Sequence, residues 1–280
     1  MKVIQSIAET IAACRAAARP LGLAPTMGYL HEGHATLARR ASQECATVAA
    51  SIFVNPTQFG PSEDFASYPR SMERDLAMLE AAGTDIVFAP TLAEMYPPGF
   101  DTWVEVGALT QRLEGAVRPG HFRGVCTVVA KLFTITRPDR AYFGRKDGQQ
   151  LAVIRKMAAD LNLGVQIVPV ETVRESDGLA MSSRNVYLTP EQRRAAPVIY
   201  RALSHVRELW LKGERNAERL RQEGRRIIEA ESQVVSVDYF SIAEAATLEE
   251  LDIVDRPALV STTARIGVAR LIDNVLLGQL

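Results

Sequence analysis

Between residues 21 and 170 short apolar, β-branched runs alternate with longer helical patterns, and few folds can accommodate that order. Residues 21–25, 47–54, 85–88, 140–144 and 165–170 read as strands, and 33–44, 70–82, 124–136 and 149–161 as the helices between them. In the helix at 70–82, Met72, Leu76 and Leu79 mark an inner face, and Gly83 stands where a C-terminal cap belongs. The run at 47–54 ends at Asn55-Pro56, as a buried strand should. Alternation of this kind builds a parallel sheet covered on both faces. About five strands joined by right-handed crossovers make a Rossmann-like α/β layout.

After about residue 173 the pattern changes. Thr189-Pro190-Glu191-Gln192 is a helix start, with Thr189 as cap, Pro190 in the first turn and Gln192 completing a capping box. A long helix to about Lys212 is expected, then a charged helix over 214–230 and two strand-like runs at 234–242 and 258–271. Segregated helices and strands indicate a small α+β domain. The expected division is a nucleotide- and substrate-binding domain at 1–173 and a smaller domain at 174–280.

Composition removes several classes of function. With 32 basic and 33 acidic residues the net charge is -1, so the chain lacks the basic footprint of a nucleic-acid binder. No apolar run approaches the ~20 residues that span a bilayer, and residues 1–10 do not resemble a signal peptide. The three cysteines, Cys14, Cys45 and Cys126, form no CxxC pair; they read as buried small hydrophobes in a reducing, cytoplasmic protein.

The chemistry is concentrated where the first strand turns into the first helix, over Pro25-Thr26-Met27-Gly28-Tyr29-Leu30-His31-Glu32-Gly33-His34. An open parallel sheet binds ligand at the carboxyl ends of its strands, and a helix N-terminus attracts phosphate. His31 and His34 are two of only 4 histidines, and three residues apart they share one side of a first helical turn. There they are suited to donating to phosphate oxygens and stabilising transition-state charge. Surface or capping histidines are the plainer alternative. Ala180-Met181-Ser182-Ser183-Arg184-Asn185 supplies a second, cationic loop whose hydroxyls and guanidinium suit phosphates; by itself it reads equally as a linker. Lys146-Asp147 follows the strand at 140–144, as a phosphate ligand beside a ribose acceptor or as a surface ion pair. Glu73 and Asp75 read as helix-surface charge in preference to metal ligands.

The His31-to-His34 pattern, HxGH, resembles that of nucleotidylyltransferases and class I aminoacyl-tRNA synthetases. Four stretches together are more specific: residues 25–34, Ile52-Phe53-Val54-Asn55-Pro56-Thr57-Gln58-Phe59, Phe143-Gly144-Arg145-Lys146-Asp147-Gly148-Gln149-Gln150, and Thr172-Val173-Arg174-Glu175 through Met181-Ser182-Ser183-Arg184-Asn185. In this order the chain closely resembles the pantothenate synthetase (pantoate–β-alanine ligase) family over nearly its whole length. The resemblance implies condensation of pantoate with β-alanine, with ATP converted to AMP and diphosphate through a pantoyl adenylate. It implies an ATP site of Met27, Gly28, Tyr29, Leu30, His31, Glu32, Gly33, His34, Gly144, Arg145, Lys146, Asp147, Val173, Met181, Ser182, Ser183 and Arg184. Gln58 and Gln150 would hold pantoate, and Gln58 would adjoin β-alanine. His34, His31, Lys146 and Arg184 would be the charge-stabilising catalytic set, with His34 able to donate a proton. The resemblance further implies Mg2+ without assignable ligands, a cytoplasmic homodimer, and a small domain that covers the active site as a lid.

The residue types suit those roles. A Gln amide reads hydroxyls without adding charge that would trap the pantoate carboxylate and blunt its attack. The chain departs from the family at Gly148, where an aromatic residue is common, and at Arg145, where an acidic one is; neither position should carry chemistry. Rival readings are a nucleotidylyltransferase acting on a phosphate ester, a tRNA synthetase fragment, and a regulatory nucleotide-binding module without chemistry. The Gln58 and Gln150 pair counts against the first, the net charge against the second, and the intact HxGH with Lys146 and Arg184 against the third. A dehydrogenase is disfavoured because no GxGxxG follows the first strand.

Overall fold

The computed structural model describes residues 1–61 and 63–278. It divides into two compact units, one of Met1–Gln111, Arg118–Gly144 and Val153–Glu171, the other of Arg112–Val117, Arg145–Ala152 and Thr172–Leu280.

In the first unit, strands β1 (Lys2–Ile4), β2 (Leu21–Thr26), β3 (Thr47–Ile52), β4 (Ile86–Phe88), β5 (Arg140–Gly144) and β6 (Gln166–Val170) form one parallel sheet in the order β1-β4-β3-β2-β5-β6. The expected count of five misses β1, whose three residues are too few to show a period. Helices α1 (Ile7–Ala16), α2 (Glu32–Glu44), α3 (Met72–Ala81), α4 (Leu92–Met95) and α6 (His121–Thr136) alternate with the strands, as the α/β reading requires. α5 (Glu114–Val117) and the start of α7 (Gly148–Asp160) fall in the second unit. All six residues of β3 are buried, which explains why its sequence is mostly apolar without a polar face, Thr47 and Ser51 included. Strand order reverses at β2, which pairs with β3 on one side and β5 on the other. The carboxyl ends of β2 and β5 therefore lie at the topological switch point, where open α/β sheets bind ligand.

Two readings of this unit need correction. Met72 is not on the inner face of α3; it is exposed, and Asp75 and Leu79 are the buried residues. Gly83 does adopt the left-handed φ of +83° that ends the helix region. Cys14 and Cys126 are buried, but Cys45 is half-buried with its Sγ 3.3 Å from the Tyr142 hydroxyl. Burial pushes the Cys126 thiol up to about 12, which makes it inert.

In the second unit α8 (Pro190–Ala195), α9 (Val198–Leu211) and α10 (Ala217–Glu229) accompany an antiparallel sheet β7-β8-β9 (Val234–Glu244, Ala258–Ile266, Ala269–Leu277). The Thr189–Gln192 capping box forms as expected. The long helix expected to Lys212 is instead broken at Pro197, which starts α9. The apolar run expected as one strand folds back at Gly267, φ +57°, into β8 and β9. Ile199, Leu203 and Leu220 of the helices share a core with Phe240, Ile242 and Val260 of the sheet. Gly224 permits that approach, since a Cβ there would lie 2.1 Å from the Phe240 ring.

The same unit buries a charge network. Both oxygens of Glu114 accept from Arg270, at 2.6 and 2.9 Å, and Tyr239 and Thr263 hydroxyls donate to Oε1 at 2.9 and 2.8 Å. Arg270 Nε also donates to Asp238 at 2.7 Å. Burial opposes ionisation of Glu114, but Arg270 and the hydroxyls outweigh it and hold its pKa at about 2. A carboxyl depressed on folding stabilises above its unfolded pKa of about 4.3 and loses that contribution as pH falls towards 2. We expect parent stability to fall by about 2 kcal/mol more than that of Glu114→Gln between pH 5 and 2.5. Urea midpoints measured between pH 5 and 2.5 check it; parallel curves would show that Glu114 is not the acid-sensitive group.

Candidate active site

The turn after β2 is shaped by backbone that only a few residues tolerate. Gly28 has φ +86° and Tyr29 φ +48°. Asp75 of α3 holds this turn: its two oxygens accept from the N–H groups of Tyr29 and Leu30, each at 2.7 Å. The side chain is 1% exposed, so its reading as helix-surface charge is wrong. Glu73, two residues earlier, is exposed as expected. A Cβ on Gly28 would lie 3.0 Å from Asp75 Oδ2, so the left-handed turn and the carboxylate fit together. Arg74 lies over the Tyr29 ring at 5.1 Å. Leu30 turns its side chain into the core, and Glu32 is exposed and paired with Arg39.

The HxGH spacing is a capping box. His31 is the N-cap of α2, with Nδ1 accepting from Gly33 N–H at 3.1 Å. His34 is the third helical residue, with Nδ1 accepting from His31 N–H at 3.3 Å. A nitrogen that accepts carries no proton, so each neutral ring carries its proton on Nε2. The two ring centroids lie 4.1 Å apart with the planes tilted by 41°. Gly33 is required beneath them, because a Cβ there would lie 2.9 Å from the His31 ring. Capping and phosphate donation are thus not alternatives: Nδ1 does the first and Nε2–H can do the second.

Gln58 follows β3 on a single helical turn, Pro56–Gln58, and is buried. Asn55, 1% exposed, sets its polarity. Asn55 Nδ2 donates to the Gly124 carbonyl at 3.1 Å and to Gln58 Oε1 at 3.0 Å, while its Oδ1 accepts from Tyr96 and Thr57 hydroxyls at 2.9 Å each. A backbone carbonyl can only accept, which fixes the Asn55 amide. Gln58 must then face it with oxygen and present Nε2 donors elsewhere. Gly124 lets α6 reach this turn, since a Cβ there would lie 2.3 Å from the Thr57 carbonyl oxygen.

In the second unit, Val173 and Met181 are brought together on a short hairpin. Met181 N–H donates to Val173 O at 3.0 Å, and Arg174 bridges to Ala180. Ser182 caps the turn at Ser183 and Arg184 by accepting from Arg184 N–H at 3.3 Å. Lys146 Nζ is 3.3 Å from Asp147, with the lysine side chain 19% exposed. Asp273 and Asn274 of β9, which sequence reasoning missed, tie these pieces together. Asp273 takes Arg174 bidentately at 2.6 and 3.0 Å, and burial pushes its pKa up against that pull. Asn274 Nδ2 donates to the carbonyls of Arg145 and Lys146 at 2.9 and 2.7 Å. Gln149 is structural: its amide bonds Glu114 N–H and Arg112 O at 2.9 and 2.7 Å. Gln150, half-buried, is the next residue. Gly148 lies 3.1 Å at its absent Cβ from Leu259, which fills the space beside this position.

A six-stranded parallel sheet whose switch-point turn ends in a paired-histidine cap defines an α/β nucleotide-using enzyme of the HxGH type. The comparisons narrow it. A family model for pantoate–β-alanine ligase matches residues 1–276. The chain is 59% identical to pantothenate synthetase of Roseiflexus castenholzii, over 99% of both chains, and 58% identical to that of Chloroflexus aurantiacus, over 99% and 98%. The crystal structure of pantothenate synthetase from Thermus thermophilus superposes with a TM-score of 0.94 at 51% identity, over 98% of this chain and 99% of that one. A Francisella tularensis pantoate–β-alanine ligase, complexed with β-γ ATP and β-alanine, gives 0.80 at 32%, over 99% and 97%. The chain belongs to the pantoate–β-alanine ligase family.

Proposed function

We propose that this chain condenses pantoate with β-alanine in two steps and that its own residues divide the work as follows. The pantoate carboxylate attacks the α-phosphorus of ATP, and diphosphate leaves. The β-alanine amine then attacks the acyl carbon of the pantoyl adenylate, and AMP leaves. ATP is bound by Met27 to His34, Gly144 to Asp147, Val173 and Met181 to Arg184. His31, His34, Lys146 and Arg184 stabilise charge as it builds on the phosphates. Gln58 and Gln150 hold pantoate, and Gln58 adjoins β-alanine. The observation that carries the reading is the capping box, because it puts an Nε2–H donor on both histidines at the switch point.

Mg2+, implied by the family resemblance, would be carried largely by the nucleotide's phosphates and water and would supply positive charge there. Among the described residues no group of three or more His, Cys, Asp or Glu is placed to hold a metal. No helix among the described residues is long and apolar enough to cross a membrane. The family resemblance supports a cytoplasmic homodimer in which residues 174–280 exclude water from the adenylate.

The test supplies ATP, pantoate and β-alanine. AMP turnover is expected only with both acids present; AMP formation that ignores either acid would overturn the reading. Gln58→Ala should impair both half-reactions by about 1–3 kcal/mol while binding of a non-hydrolysable ATP analogue, read by calorimetry, stays unchanged. A large loss of nucleotide affinity would move Gln58 out of the pantoate site.

A further inference from the structure

Beside the Gln58 turn an internal carboxylate sits on a guanidinium fork. Arg118 Nε donates to Glu63 Oε1 at 2.6 Å and its Nη2 to Oε2 at 2.7 Å, the paired geometry of strong Arg–carboxylate recognition. The side chains are 15% and 23% exposed. The same fork is fastened to Gln58. Arg118 Nη2 reaches the Gln58 carbonyl at 3.3 Å, and His121 Nδ1 donates to that carbonyl at 2.8 Å. Arg118 Nη1 lies 3.1 Å from His121 Nε2, which must accept because a guanidinium only donates.

The two acids of the proposed reaction make opposite demands here. Pantoate uses its carboxylate as nucleophile, and an uncovered guanidinium would trap it. β-Alanine keeps its carboxylate unreacted and delivers its amine, so a fork that takes the carboxylate would orient it. We propose that Glu63 is an internal stand-in for the β-alanine carboxylate: it covers Arg118 during adenylate formation, and the incoming amino acid displaces it. Burial pushes the Glu63 carboxyl up, but Arg118 more than offsets this and keeps it ionised, as a stand-in must be. The proposal rests on the assignment of Gln58 to the acid substrates.

The test is an acceptor series with Glu63→Gln, which keeps the shape and removes the charge. KM for β-alanine should fall about fivefold. KM for β-alaninamide, which has an amine but no carboxylate, should not fall, and diphosphate release from ATP and pantoate should slow, because the uncovered guanidinium holds the pantoate carboxylate. Arg118→Gln should raise KM for β-alanine on the order of tenfold or more, and Glu63→Gln added to it should no longer lower it. A β-alanine KM that rises or stays level in a Glu63→Gln variant of parental melting temperature overturns the proposal. So does an equal fall for the amide, which would mean the substitution only loosens the segment. If the variant does not fold, the parent decides: propionate should compete with β-alanine, and absence of inhibition overturns the proposal. A parent that releases no diphosphate from ATP and pantoate overturns the site assignment itself, and this proposal with it.

Discussion

His34→Ala is expected to slow single-turnover diphosphate release from ATP and pantoate by about 10²–10³-fold, the loss typical of one preorganised donor at developing charge. The rate loss should far exceed the loss of stability. His34 also accepts from the His31 N–H, so removing it opens one half of the α2 capping box, at a cost of about 0.5–1 kcal/mol. His34→Gln tests both roles at once. A glutamine at the third helical position can accept from the cap residue through its oxygen and donate through its amide nitrogen. It should recover the melting temperature fully and the rate in part. A His34→Ala protein that melts far lower, while its folded fraction turns over normally, would make the histidine structural and remove it from the catalytic set.

The parts of this site that could be read from the sequence are those whose geometry is local. HxGH is legible because its spacing is that of N-cap and third helical residue, so four consecutive residues set the two rings. Strands β2 to β6 are legible because each is an apolar run between turn residues. β1 is not, since three residues with only Ile4 buried show no period. Gly267 and Pro197 carried the breaks in the second unit, but one turn residue inside an apolar run is outweighed by the run. The long-range supports left no trace. Asp75 stands beside Glu73 and Arg74 on a charged helix start, and its partners are backbone N–H groups 45 and 46 residues away. Backbone donors have no sequence signature. Asp273 and Asn274 likewise act on Arg174 and on two carbonyls more than 90 residues earlier.

Asp75→Asn should separate positioning from folding. Asparagine keeps one oxygen for one of the two N–H groups and turns an NH2 against the other, so the left-handed turn at Gly28 and Tyr29 loses one of its two ties. The stability change should be small, because two effects oppose. One bond is lost, at about 1 kcal/mol. But burial pushes the Asp75 carboxyl up despite the two N–H bonds, and a carboxyl raised on folding weighs against the fold at neutral pH, a burden relieved as pH falls from its raised pKa towards the unfolded value. Removing the charge removes that burden. The rate has no such compensation, since the turn aims His31 and His34, and a misplacement of about 1 Å costs on the order of 10²-fold. We therefore expect diphosphate release to fall by about 10- to 100-fold, with the KM for pantoate unchanged and the melting temperature near that of the parent. Asp75→Ala leaves two N–H groups without their acceptor and should destabilise by about 2–4 kcal/mol. An Asp75→Asn enzyme with parental diphosphate release would show that the turn holds its shape without the carboxylate, and that Asp75 serves the fold alone.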